Sequence, residues 1–233
     1  MNIRKATGRD AQAIKELKYM NEDIIYNLID RMTTKENVAS SAESVSWKAY
    51  REAEQISDET VYPVLMKIAE ENPKNKEVRK AAYTTIGYSL RNIFNKEACI
   101  FLIQKLGEET DKYIVSGILD RLACFHIPED VDMSLVIKCS QSDKWQIRHS
   151  AINALGSSAT GANREALLFY INQEDEKKYD FEIVYANASL GKIGLKTDIS
   201  FIEKHAKSRK RDIRDSALFA IEKIIEREDS IDR

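Results

Sequence analysis

The sequence predicts an all-α chain built as an α-solenoid, with about six antiparallel helix pairs stacked as a superhelix. Three observations carry that expectation. A ten-residue pattern recurs along the chain, a second amphipathic stretch lies between successive copies, and Gly and Pro are scarce (8 and 3 in 233 residues). An all-β chain of this length would draw on Gly and Pro for its many turns.

The pattern reads Val78-Arg-Lys-Ala-Ala82-Tyr-Thr-Thr-Ile86-Gly87. It returns at Ile114–Ala123, at Ile147–Gly156, more loosely at Glu182–Gly191, and at Ile213–Glu222. Its fifth residue falls at 82, 118, 151, 186 and 217, so the unit is 31 to 36 residues long. A helix-turn-helix repeat has that length. A weaker copy runs through Trp47-Lys-Ala49-Tyr-Arg-Glu-Ala53, one period upstream. Hydrophobic first, small fifth and hydrophobic ninth residues fall on one helical face, and the small one admits a close partner helix. One such pair cannot bury its apolar face alone, so pairs stack.

The intervening stretches are Glu59–Glu71, Lys96–Leu106, Val131–Cys139, Arg164–Asn172 and Ile199–Ala206. Cys99, Ile100, Ile103 and Leu106 show the helical spacing that identifies them. Asp143 and Asp198 stand where they would cap the helices that follow. Before residue 45 the pattern is less regular. Helices are expected over Asp10–Met20 and Glu22–Met32, and a long one over Asn37–Ile56. No Gly- or Pro-rich linker divides the chain. The expectation is one domain over 1–233, with an N-terminal cap over 1–44, repeats over 45–226 and a tail over 227–233.

The segments Val78-Arg-Lys-Ala-Ala82 and Ile147-Arg-His-Ser-Ala151-Ile-Asn-Ala-Leu-Gly156 resemble the second helix of HEAT repeats, most of all the short bacterial repeats also found in bilin lyases. The likeness covers about residues 45–226. It departs at Glu182, which stands at a hydrophobic position, and at Glu222, which stands at the glycine position. What it implies is a surface for binding a partner. It carries almost nothing about chemistry.

Composition narrows the function classes. With 36 basic and 38 acidic residues the net charge is −2, which does not favour nucleic acid. The longest apolar run, Ala98–Ile103, is too short for a membrane span, and the N-terminus has no apolar signal-peptide core. Three cysteines without framework spacing suit free thiols in a cytoplasm. There is no glycine-rich phosphate loop, no HExxH and no paired CxxC. No cofactor or metal is expected, and no catalytic constellation stands out. Cys124, His126 and Cys139 invite a metal reading, but the helix between them separates them too far. Cys124, Cys139 and Cys99 read as buried structural thiols.

The expected partner is another protein, held on a concave face formed by the second helices. Third, seventh and eleventh repeat positions supply Lys80, Thr84, Asp120, His149, Asn153, Lys192 and Lys223. A basic turn adds Arg209, Lys210 and Arg211, opposite an acidic turn at Glu174–Glu176, Asp180 and Glu182 with which it could simply pair. Arg79, Arg148 and Arg214 recur at the second position and read as a structural ladder bridging to acidic neighbours. Trp47 and Trp145 read as covers of the core edge. Leu218 and Phe219 flank the core positions Ala217 and Ile221; one of them is open for self-association through the C-terminal helix, or the tail covers it. Alternatives stay open by analogy: an immunity protein neutralising a bacterial toxin, a nucleic-acid-binding or DNA-base-excising protein on the same architecture, and an enzyme or chaperone for a cofactor, as the bilin lyases are.

Overall fold

The computed structural model describes residues 22–231, and all regular structure among them is helical. Helix α1 covers residues 22–33. It is followed by α2 (Val45–Ala53), α3 (Val61–Glu71), α4 (Lys76–Asn92), α5 (Lys96–Glu108), α6 (Lys112–Leu122) and α7 (Ser134–Ser140). Then come α8 (Trp145–Leu155), α9 (Gly161–Ile171), α10 (Asp180–Ile193), α11 (Ile199–Ile202) and α12 (Arg211–Ile231). The helix expected over Asp10–Met20 lies outside the described residues. Consecutive helices pack on one another, and the fold is an α-solenoid. Backbone packing divides the chain into two compact units, Met1–Ala98 and Cys99–Arg233.

In the first unit, α4 packs against both α2 and α3. The fifth-position alanines Ala49 and Ala82 are fully buried. Polar atoms lock the loops. Asn92 donates from Nδ2 to the carbonyls of Glu54 and Ile56, both at 2.9 Å, and Tyr62 donates to Ile93 O at 2.5 Å. The long helix expected over Asn37–Ile56 is broken, and only Val45–Ala53 is helical. The reason is local side-chain competition. Ser44 accepts from Trp47 N, and the Glu36 carboxylate accepts from the Val45 and Ser46 amides, each at 2.9 Å. Those bonds terminate the helix at its N-terminus rather than letting it run back. They also hold the Glu36 carboxyl down at about 2, led by the Ser44 hydroxyl.

In the second unit the pattern helices α6, α8, α10 and α12 lie side by side as one layer, while α7 and α9 pack against them from the other. Ala151, Ala186 and Ala217 are fully buried, as is Ile118 at the same position of α6. The tenth position is where the next pattern helix comes closest. A Cβ added to Gly156 would lie 3.0 Å from Ser189 Cα, and one added to Gly191 would lie 3.4 Å from Ala220 Cα. In α12 the pattern slips. Ile213, Ala217, Ala220 and Ile224 are buried, and the expected core residue Ile221 is only half-buried. The stretch expected as a tail from residue 227 is helical as far as Ile231.

Neither aspartate acts as the expected cap. Helix α8 begins after Lys144 without a side-chain cap. Asp198 instead accepts from Leu195 N at 2.8 Å and from Arg164. Helix caps are instead supplied by Ser44, Asn75, Asn95, Asp111 and Thr160, among others, each accepting a first-turn amide.

Gly156→Ala should therefore lower stability by about 1–2 kcal/mol through overpacking against Ser189 backbone. That corresponds to a fall of about 3–6 °C in the melting temperature. Gly161→Ala, whose Cβ meets nothing within 4 Å, should leave the melt unchanged or raise it slightly. Equal melting shifts for the two would contradict the close approach of α8 and α10.

Candidate functional site

The side chains that stand off the pattern-helix layer of the second unit converge on α8 and α10. Trp145 and His149 are one helical turn apart on α8, as are Phe181 and Tyr185 on α10. The His149 ring lies 5.6 Å from Trp145, 5.7 Å from Phe181 and 5.3 Å from Tyr185, centroid to centroid. Three of these rings remain open to solvent: Trp145 is 58% exposed, Phe181 60% and Tyr185 36%. Two grooves share the cluster. One, of about 560 Å³, is lined by Trp145, Arg148, His149, Lys178, Asp180, Phe181, Glu182 and Tyr185. The other, of about 360 Å³, runs toward α6 and adds Ser116, Asp120 and Asn153.

The cluster has a buried ionic floor. Glu182, the residue that breaks the hydrophobic first position, is buried. Its Oε1 accepts from Arg148 Nε at 2.6 Å and lies 3.1 Å from His149 Nε2. Burial by itself pushes the Glu182 carboxyl up, but the bonds from Arg148, its own backbone amide and His149 outweigh it and hold the group below the usual carboxylate range. Arg148 also donates to Ser142 O at 2.7 Å. Arg79 and Arg214 make the same reach, to Asn72 and Pro73 carbonyls and to Ser208 O. The arginine ladder thus clamps the loop before each of these three pattern helices, and Arg148 also bridges to an acid of the neighbouring repeat, Glu182. A second buried pair repeats the logic. Asp198 takes two bonds from Arg164, at 2.9 and 3.0 Å, and these with the Leu195 amide outweigh burial to depress its carboxyl.

The sequence-predicted residues separate. Asp120, His149 and Asn153 line one groove together. Lys80 and Thr84 lie on α4 in the first unit. Lys192 is exposed at the end of α10, beside a groove with Cys124 and His126. Lys223 pairs with Glu226 at 2.6 Å. The basic turn does pair with the acidic one: Lys210 reaches Glu176 O at 2.5 Å and Asp180 at 3.2 Å. Arg211 pairs with Asp215 within its own helix at 3.3 Å, and Arg209 is exposed.

Several expectations need correction. Trp145 and Trp47 are exposed rather than covering the core edge. Cys124 is an exposed thiol, donating to Asp120 O at 3.1 Å, whereas Cys99 is buried and its thiol pushed up to about 12 by desolvation. Leu218 and Phe219 are both exposed. Phe181 and Tyr185 were not singled out at all. The signal for them was present: they repeat the one-turn spacing of Trp145 and His149 one period later. His205 is buried and structural, with Nε2 2.7 Å from Ile171 O. Among the described residues no cluster of His, Cys, Asp and Glu is arranged to hold a metal, and no helix is long and apolar enough to cross a membrane.

Removing Arg148 should be costly, because Glu182 would stay buried with one cation gone. Arg148→Met should destabilise by about 3 kcal/mol, and Arg148→Met/Glu182→Met should recover much of that. Equal losses in the two variants, by denaturant melts, would remove the pair's role. Acid should act on the same groups. Folded-state depression of Glu182 and Asp198 adds stability that is present above their unfolded values, about 4.3 and 3.9. It is lost as pH falls through the lower folded values. Glu182→Gln/Asp198→Asn should flatten the acid limb of a stability–pH curve; an unchanged slope would contradict the assignment.

No protein-family model matches the sequence, and a search of curated proteins finds no significant match. Solved structures do resemble it. A designed armadillo repeat protein, YIII(Dq)4CqI, aligns at TM-score 0.51 and 14% identity, over 85% of this chain and 98% of that one. A second designed armadillo repeat protein, in complex with peptide (KR)4, aligns at TM-score 0.50 and 14% identity over 85% and 98%. Lipovitellin aligns at TM-score 0.55 and 17% identity over 90% of this chain, which spans only 24% of lipovitellin. At these identities the likeness is one of fold: the chain shares the α-helical repeat architecture of these proteins.

Proposed function

We propose that this chain is a non-catalytic scaffold of HEAT-like repeats that binds a polypeptide segment on the pattern-helix layer of its second unit. The observation that carries this reading is the cluster of Trp145, His149, Phe181 and Tyr185. Large aromatic rings dominate interface hot spots because they bury much area at low conformational cost. Here three of them stand in solvent, anchored from beneath by the Glu182, Arg148 and His149 contacts. Nothing in their own fold requires that exposure. Asp120, Asn153, Ser116 and Gln146 edge the same surface and supply hydrogen-bonding groups for a main chain or polar side chains. One solved protein of similar fold carries a short peptide, (KR)4, which is a precedent for the architecture and not for this sequence. The free thiols Cys99, Cys124 and Cys139 suit a reducing compartment such as the cytoplasm.

Selection of a displayed random-peptide library on the purified protein tests this reading. Recovered peptides should bind with affinities in the micromolar range. Trp145→Ala and Phe181→Ala should each weaken them at least about tenfold, roughly 1.4 kcal/mol, with thermal melts unchanged. Peptides that bind the wild type and both variants alike would place the binding surface elsewhere and overturn the proposal.

A further inference from the structure

The aromatic cluster differs from the other exposed rings of the pattern helices in one respect. On the pattern helices α2, α4, α6, α8, α10 and α12, the exposed aromatics outside the cluster are Trp47, Tyr113 and Phe219. Each of these already carries a cation of its own chain. Arg51 lies 5.9 Å from the Trp47 ring, Lys112 4.9 Å from Tyr113 and Lys223 5.8 Å from Phe219. Among the described residues no such cation lies over Trp145, Phe181 or Tyr185. The two cations that line the larger, adjoining groove are engaged elsewhere: Arg148 with Glu182 and Ser142, and Lys178 over Tyr179 at 4.7 Å.

The charges around the cluster point the same way. Glu182 is matched by Arg148, and Asp180 is matched by Lys210 at 3.2 Å. Asp120 is not matched. Its side chain is exposed on α6, lines the groove with Trp145 and Tyr185, and has no ion-pair partner among the described residues. The groove therefore offers open π faces beside one unmatched carboxylate. A ring face attracts a cation within about 6 Å, and a carboxylate accepts two parallel bonds from a guanidinium.

We infer that the groove between α6, α8 and α10 takes an arginine side chain of a partner polypeptide, its guanidinium stacked on Trp145 and paired with Asp120. This rests on the polypeptide-binding reading above and adds the chemistry of the anchor. A planar, weakly hydrated guanidinium suits both halves of the site, whereas a compact ammonium suits only the charge. His149 is held by Glu182 at the back of the cluster, and Asn153 is placed at its edge to bond the partner's main chain.

The chain contains two tryptophans, so a Trp47→Phe variant makes fluorescence a direct report from Trp145. That variant is titrated with three otherwise identical short Gly/Ser peptides carrying a central arginine, glutamine or glutamate. The arginine peptide should quench saturably, at least tenfold tighter than the other two, and weaken as salt rises. Adding Asp120→Asn, an exposed change that should leave the thermal melt alone, should abolish that preference. Equal binding of all three peptides, tighter binding of the glutamate peptide, or a preference that survives Asp120→Asn would overturn the inference. If library-selected peptides still depend on Trp145 in that case, only the arginine assignment falls. If neither selected nor arginine peptides bind, the polypeptide-binding reading falls with it.

Discussion

The close approach of successive pattern helices is the constraint on which the second unit depends. Ala151, Ala186 and Ala217 are fully buried, and Gly156 stands so near Ser189 that a single methyl would collide with backbone. A packed interior tolerates little added volume, so these small residues fix both the spacing and the rotation of each helix in the layer. Rotation is the consequential part. Once positions five and ten face the neighbouring helix, other positions of the same helices are left on the outside of the layer. Trp145, Phe181 and Tyr185 stand there exposed, with the largely covered His149 between them.

Polar groups then secure what the small residues position. The loops ahead of α4, α8 and α12 are each gripped by the arginine at the second pattern position, which donates to their carbonyls. Arg227 does the same for the end of α10, donating to the carbonyls of Gly191, Lys192 and Gly194. Glu182 goes further. A carboxylate at a core position is expensive unless every lone pair is served. Arg148 and His149 serve it, and in doing so they tie α8 to α10 directly under the aromatic cluster. The residue that most violates the repeat pattern thus fixes His149, the ring against which Trp145, Phe181 and Tyr185 lie.

This division explains which features could be read in the sequence. The register was legible because close packing favours small residues at a recurring interval of 31 to 36 residues, and every fifth position from Ala49 to Ala217, Ile118 included, is buried. What was illegible depended on tertiary partners or on local competition. Asn37–Ile56 has helical periodicity, yet Glu36 and Ser44 capture the amides of residues 45–47 and start the helix late. Asp198 has the sequence position of a cap, but Arg164, 34 residues away, offers two charge-assisted bonds that a cap does not. Trp145 taken alone suits a core edge. Its role changes only when Phe181 and Tyr185, one repeat later, are brought beside it. The basic turn at 209–211 looked like a docking patch for the converse reason: the acids that meet Lys210 lie some 30 residues before it.

The same reasoning separates binding groups from structural ones. A charged side chain that already has a partner offers little to a second molecule, because an incoming group must first displace what is there. By that criterion Lys210, Arg211 and Lys223 rank low, for each is paired within its own chain. Aromatic faces follow the same rule, and the rings of Trp47, Tyr113 and Phe219 are already occupied by neighbouring cations. The nearly balanced composition therefore conceals an uneven surface. Several of its charges and ring faces are spent on internal pairs, whereas Asp120 and the Trp145 ring, which border one groove, are not.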